Sequence, residues 1–119
     1  MRIIISGGRN FDNYELLKEK CDYYLKDIKV DEIVSGTARG ADMLGEQYAE
    51  EKGYEIHQYI PDWNGLGKSA GYKRNAKMAD NADALIAFWD GESKGTANMI
   101  DIAKKKGLKV RVVKYVDGR

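Results

Sequence analysis

Four short stretches of the chain bring together the residue types that hold anions. In Tyr72-Lys73-Arg74-Asn75 a guanidinium sits beside an amide, and in Asp90-Gly91-Glu92-Ser93-Lys94-Gly95-Thr96-Ala97 a glycine-threonine step precedes a helical pattern. A guanidinium presents a planar fork of donors that matches phosphate. A Gly-Thr step at a helix start leaves backbone N–H groups free and sets a hydroxyl beside them, so Thr96 can cap the helix, bind phosphate, or do both. In Ser6-Gly7-Gly8-Arg9 the paired glycines let the backbone approach a ligand and turn N–H groups toward it, with Arg9 as a further cation; an ordinary tight turn with an exposed arginine is the plainer alternative. Ser35-Gly36-Thr37-Ala38-Arg39-Gly40-Ala41-Asp42 adds two hydroxyls and Arg39 at another helix start, but it is neither a Walker loop nor a GxGxxG turn. Asp42 there serves the helix dipole in the simpler reading and a ribose hydroxyl in the sharper one.

Aromatic and amide groups that could recognise a base lie close by. Trp63 and Asn64 precede Gly65, Gly67 and Lys68 in the longest loop, and Trp89 closes an apolar run just before Asp90. A tryptophan among glycines and polar residues suits ring stacking, with packing of the loop onto the domain as the alternative. Asp90 and Glu92 are the acids of their loop, and one exposed carboxylate there does not make an acid–base pair.

These stretches have to be positioned by regular elements. Short apolar runs at Ile3–Ile5, Ile33–Val34, Tyr54–Ile60, Ala84–Trp89 and Val110–Val113 read as strands buried on both faces. Helical spacing appears in Tyr14, Leu17, Cys21, Leu25 and Ile28, where Asp12 with Glu15 makes a capping pair, and again in Ala41, Leu44, Tyr48 and Ala49 before Gly53. Ala70–Ala79 after Ser69, and Asn98–Lys106 before Gly107, complete a β-α-β-α-β-α-β-α-β order. This predicts one α/β domain over residues 1–119: a Rossmann-like three-layer fold whose central, mostly parallel five-stranded sheet is flanked by helices. Ligands bind such sheets beyond the carboxyl ends of the strands. The segments there (6–11, 35–42, 61–69 and 90–97) hold Gly7, Gly8, Gly36, Gly40, Gly65, Gly67, Gly91 and Gly95, eight of the 13 glycines, and the only proline.

Composition narrows the function classes. The formal charge is +1, from 20 basic and 19 acidic residues, which argues against broad attraction to a nucleic-acid backbone. With Cys21 and His57 each alone of its kind, neither a disulfide framework nor a metal site is expected, and no cofactor is implied. The opening MRIIISGG is too short for a signal-peptide core and no apolar run spans a bilayer, so a cytoplasmic location without membrane contact is the expectation.

Taken together, SGTARGAD, DWNGLGKSAGYKRNAKM and AFWDGESKGTANMI resemble the SLOG superfamily of Smf/DprA and LOG-like Rossmann-type proteins, and specifically its YspA-like branch, common in bacteria and phages. The resemblance runs from Ile3 to Gly107. It implies a nucleotide or nucleotide-derived ligand, such as an ADP-ribose-like molecule or a cyclic nucleotide, held across the strand ends, and relatives of this kind often form homodimers or larger homo-oligomers. LOG-type enzymes cleave the N-glycosidic bond of nucleoside 5′-monophosphates with an Arg-Lys-x-x-Met-like helix and a PGGxGTxxE loop. Arg74 and Met78 match the first, Gly95 and Thr96 part of the second, but the glutamate position is Met99. A thioether neither activates water nor stabilises an oxocarbenium-like charge. Asp101 lies two residues further on, about 200° round the helix axis. The reading is therefore binding without robust catalysis, by a sensor or a sequestering protein, a phage version serving as a sponge for a host defence signal. A phosphoribohydrolase using Arg74 is the alternative, and DprA-like nucleic-acid binding a second one. The ligand-binding set is Ser6, Gly7, Gly8, Arg9, Ser35, Gly36, Thr37, Arg39, Gly40, Asp42, Trp63, Asn64, Lys68, Arg74, Asn75, Trp89, Asp90, Lys94, Gly95 and Thr96.

Overall fold

The run of three isoleucines lies in β1 (Arg2–Gly7), where successive side chains point to opposite faces of the sheet. Ile3 and Ile5 enter one core and Ile4 the other, all fully buried. The structure, a computed structural model, describes residues 1–116, without the side chains of Leu66 and Lys68. Its other strands are β2 (Glu32–Ser35), β3 (Glu55–Gln58), β4 (Ala84–Trp89) and β5 (Lys109–Lys114). They lie in the order β3-β2-β1-β4-β5, and every pairing is parallel, so the sheet is wholly rather than mostly parallel.

Parallel strands need crossover connections, and helices on both faces supply them. On one face α1 (Tyr14–Leu25) and α2 (Ala41–Lys52) cover Ile3, Ile5, Ile33, Ile86 and Phe88 with Leu17, Cys21, Tyr48 and Ala49. On the other, α4 (Ala70–Asp80) and α5 (Lys94–Lys105) cover Ile4, Val34, Leu85 and Ala87 with Met78, Ala79, Met99, Ile100 and Ala103. Between them α3 (Trp63–Leu66) is a single turn followed by a 3-10 turn, Gly67–Ser69, where an irregular loop was expected; the Asp62 carboxylate caps it by accepting from Gly65 N–H at 2.9 Å.

Three local expectations change. Asn13, not Asp12, caps α1, its Oδ1 accepting from Leu16 N–H at 3.0 Å. Helix α5 begins at Lys94, four residues before Asn98, because the Ser93 hydroxyl caps it. Strands β3 and β5 are not buried on both faces: they are the sheet edges, with Glu55, His57 and Gln58 exposed on one and Lys109, Arg111 and Lys114 on the other. Cys21 is completely buried, and burial pushes its thiol up to about 12. Among the described residues no helix is long and apolar enough to cross a membrane, and no group of three or more His, Cys, Asp or Glu side chains could hold a metal ion.

Candidate functional site

The order in which strands are added reverses between β1 and β4: β2 and β3 lie on one side of β1, β4 and β5 on the other. The loops after β1 and β4 therefore diverge at their carboxyl ends and leave a crevice. A cleft of about 430 Å³ occupies it.

The floor begins at the end of β1. Gly7 packs so closely on β4 that a Cβ there would stand 2.2 Å from the Phe88 carbonyl oxygen, so only glycine lets the strand end this way. Ser6 is buried in the cleft wall, and its hydroxyl has no hydrogen-bond partner among the described residues. The Gly8 carbonyl accepts from both Phe11 and Ala41 N–H at 3.2 Å, tying the β1–α1 loop to the start of α2. Gly40 is required at that junction: its φ is +85°, and a Cβ would meet the Gly8 carbonyl oxygen at 2.3 Å.

Asp42, in the first turn of α2, is buried and faces the cleft. Desolvation raises its carboxyl from 3.8 to about 6, against the pull of the Ala38 N–H, the Arg74 charge and the Gly7 N–H. The Ala38 N–H lies 3.2 Å from Oδ2. Asp42 therefore does more than complement a helix dipole.

Arg74 projects from α4 into the same space. Its guanidinium donates to the Gly36 carbonyl and, through Nε, to Asn75 Oδ1 at 3.0 Å. Asn75 in turn donates to Asn98 Oδ1 at 3.0 Å and to the Gly95 carbonyl at 3.4 Å. This relay locks the β2–α2 loop, α4 and the N-terminus of α5 together. Burial lowers the Arg74 pKa, Asp42 raises it and neighbouring Arg9 lowers it further.

On the opposite wall the Ser93 Oγ accepts from Thr96 N–H at 3.4 Å and lies 3.2 Å from the Thr96 hydroxyl. Ser93, not Thr96, is the cap, and Thr96 is buried with Oγ1 beside it. Asp90 lines the cleft, but one carboxylate oxygen already accepts from both Glu92 and Ser93 N–H at 2.8 Å, bonds that hold its pKa below the usual carboxylate value.

A second cleft, of about 420 Å³, adjoins the first and shares Arg9, Ala38, Trp63 and Arg74 with it. Gly36, Thr37 and Arg39 line only this one.

Of the expected residues, Ser6, Gly7, Gly8, Arg9, Asp42, Trp63, Arg74, Asn75, Asp90, Gly95 and Thr96 are brought together in the first cleft. Ser35, Gly40, Asn64, Trp89 and Lys94 line neither. Ser35 is turned inward, donating to Glu46 Oε2 at 2.6 Å and accepting from Thr37 N–H at 3.1 Å. Trp89 donates its indole N–H to the Ser93 carbonyl at 3.1 Å, so it braces the loop rather than meeting the cleft, with the Lys114 ammonium over its ring. The Lys68 side chain lies outside the described residues.

Sequence reasoning passed over Tyr115, which lines the first cleft and packs on Phe11 with ring centroids 4.7 Å apart. It stands just past β5, outside the four segments expected to bind. It also passed over Ser93, a serine three residues before a threonine at a helix start, which is a recognisable cap signal.

Residues 1–65 match the YspA, cpYpsA-related SLOG family. That span covers the first three strands and the loops after β1 and β2; the expected resemblance from residue 66 to Gly107 lies outside it. No curated protein and no solved structure matches the chain.

Proposed function

The chain belongs to the YspA, cpYpsA-related SLOG family, and from that premise we propose that it binds a nucleotide or nucleotide-derived ligand in the first cleft, as a sensor or sequestering protein. One observation carries the reading: the cleft where the strand order reverses gathers several hydrogen-bond donors. The Ser6 hydroxyl, Arg9, Arg74 and the first turn of α5 with Thr96 all border it. Of its two carboxyls, Asp90 has one oxygen taken up by loop N–H groups, and Asp42 lies beside the Arg74 charge. Free N–H groups and guanidinium forks are what a phosphate needs. Trp63, 52% exposed at the rim, offers a face for a base or sugar.

Calorimetric titration with the four common nucleoside 5′-monophosphates, ADP-ribose and 3′,5′-cyclic AMP tests this. At least one binds more tightly than about 1 mM, and Arg74→Ala removes that binding. Absence of binding by the whole panel would rule the reading out.

A second reading, N-glycosidic cleavage of a nucleoside monophosphate, draws on Asp42. A carboxyl with a pKa of about 6 that faces the cleft lies in the range of a general acid. The position that carries glutamate in LOG-type enzymes does not help: Met99 is buried in the core beneath the cleft. Chromatography for free base after prolonged incubation decides between the two, and turnover that disappears in Asp42→Asn would favour cleavage.

A further inference from the structure

Resting on the nucleotide reading, we propose that the second cleft is a subsite for a further phosphate, so that the preferred ligand carries at least two anionic groups and extends from one cleft into the other.

Three guanidiniums, those of Arg9, Arg39 and Arg74, line this cleft. Among the described residues none of them forms an ion pair. Arg9 is exposed and without a side-chain hydrogen bond; Arg39 has one, to Asn10 Oδ1 at 3.4 Å; Arg74 bonds to a carbonyl and an amide, with Asp42 as the nearby opposite charge. The chain as a whole has a net charge of only +1, and most ion pairs on its surface join ordinary lysine or arginine partners to nearby acids. Three guanidiniums gathered at one concave place without an ion pair among the described residues therefore run against the charge balance of the rest. Like charges this close repel, and an anion between them removes the repulsion.

The backbone shares in the arrangement. Thr37 has a φ of +64°, a left-handed conformation that a β-branched residue rarely adopts. The Ser35 hydroxyl holds Thr37 N–H, and the Glu46 carboxylate holds Ser35 in turn. Facing the arginines, Ile60 and Trp63 are 75% and 52% exposed beside Pro61, an apolar wall suited to a sugar or base.

The shared lining makes the two clefts one trough. Arg9 and Arg74 reach both, so a ligand with one phosphate near the β1–α1 loop could place its next phosphate by Arg39 without leaving guanidinium contact. A nucleoside monophosphate would leave the second cleft unfilled.

The test compares AMP, ADP and ADP-ribose by calorimetry on the full chain. ADP and ADP-ribose carry the second phosphate in terminal and bridging form. Each is expected to bind about tenfold tighter than AMP, the gain from one charge-assisted hydrogen-bond set. Arg39→Ala brings the affinity ratio to AMP down toward one, and Arg39→Lys restores part of it. Lys109→Ala, which removes a positive charge from an exposed site on the outer strand β5, leaves the ratio as it is. A gain for ADP alone supports a subsite for a terminal phosphate, and a gain for both supports one that also accepts a bridging phosphate. If AMP binds but neither diphosphate binds more tightly, or if Arg39→Ala weakens all three by the same factor, the second subsite is refuted and the nucleotide reading survives. If none of the three binds, and the wider panel also fails, both fall.

Discussion

At the scale of single residues, Asp42 and Thr37 carry opposite lessons about strain. Asp42 is held in the folded protein with its carboxyl raised from 3.8 to about 6, so folding penalises its charged form. The protonated form carries no such penalty. The penalty is therefore absent below the unfolded value, grows as pH rises from about 4 to about 6, and is constant above that. Its size is on the order of 3 kcal/mol. The charged groups acting on it are Arg74 and Glu46. Asp22, Asp31, Asp83 and Asp90 are shifted downward and act in the opposite sense, losing stabilisation only as pH falls through their lowered values. The difference between wild type and Asp42→Asn isolates the one group. Urea denaturation should show the variant gaining stability relative to wild type as pH rises from about 4 to 6, with no further change above; a difference that stays flat across that window would contradict the assignment. Thr37 stores its cost in the backbone instead. Thr37→Gly accepts the same φ without steric conflict and should raise the urea midpoint, by about 1 kcal/mol in stability. An unchanged or lower midpoint would show that the loop is relaxed as it stands.

At the scale of elements, the start of α5 separates holding the fold from holding a ligand. A Cβ added at Gly95 meets nothing within 4 Å, although the residue lines the first cleft. The glycine is thus not required by packing, unlike Gly7. Gly95→Ala should leave the fold intact and raise its stability by up to about 1 kcal/mol through helix propensity. Gly95→Asp should also fold, since a carboxylate suits a helix N-terminus, yet it sets an anion where the phosphate is proposed. Thermal melts paired with titration check this: both variants fold, and the aspartate weakens nucleotide binding at least about tenfold. If Gly95→Asp binds as wild type does, the phosphate lies elsewhere. Element boundaries were legible where chemistry is local. Gly53 ends α2 in the left-handed conformation expected of it, whereas Ser69 holds the N-cap position of α4 without a capping side-chain hydrogen bond. They were less legible where neighbouring polar residues compete: Asn13 took the cap from Asp12, and Ser93 took it from Thr96.

At the scale of the whole molecule, the alternation of apolar runs and helical spacings was enough to read a parallel α/β sheet, because crossover helices leave a regular trace in the chain. Strand order leaves none. Nothing in Glu55-Ile56-His57-Gln58 says that it lies at an edge until β2 is seen to be its one neighbour, and the polar residues then make sense as an exposed rim. The same limit applies to the site. Glycine-bearing turns marked which loops to consult, and most of the cleft came from them. The inward turn of Ser35 and the loop-bracing role of Trp89 depend on partners that are distant in the chain or hidden by rotamer, such as Glu46 for the serine.

The position of Tyr115 bears on how the protein is made. Its ring closes the cleft against Phe11, near the amino end, and its N–H reaches back to the Trp89 carbonyl at 3.1 Å. During synthesis the first strand leaves the ribosome early, but the pocket it helps to form stays open-walled until residue 115 has emerged. A nascent or clipped chain that already holds Arg74 and the whole of α5 would still lack one side of the vessel. If the cleft takes the proposed ligand, its capture waits for β5 and Tyr115 to dock, and a bound ligand would in turn report that they have.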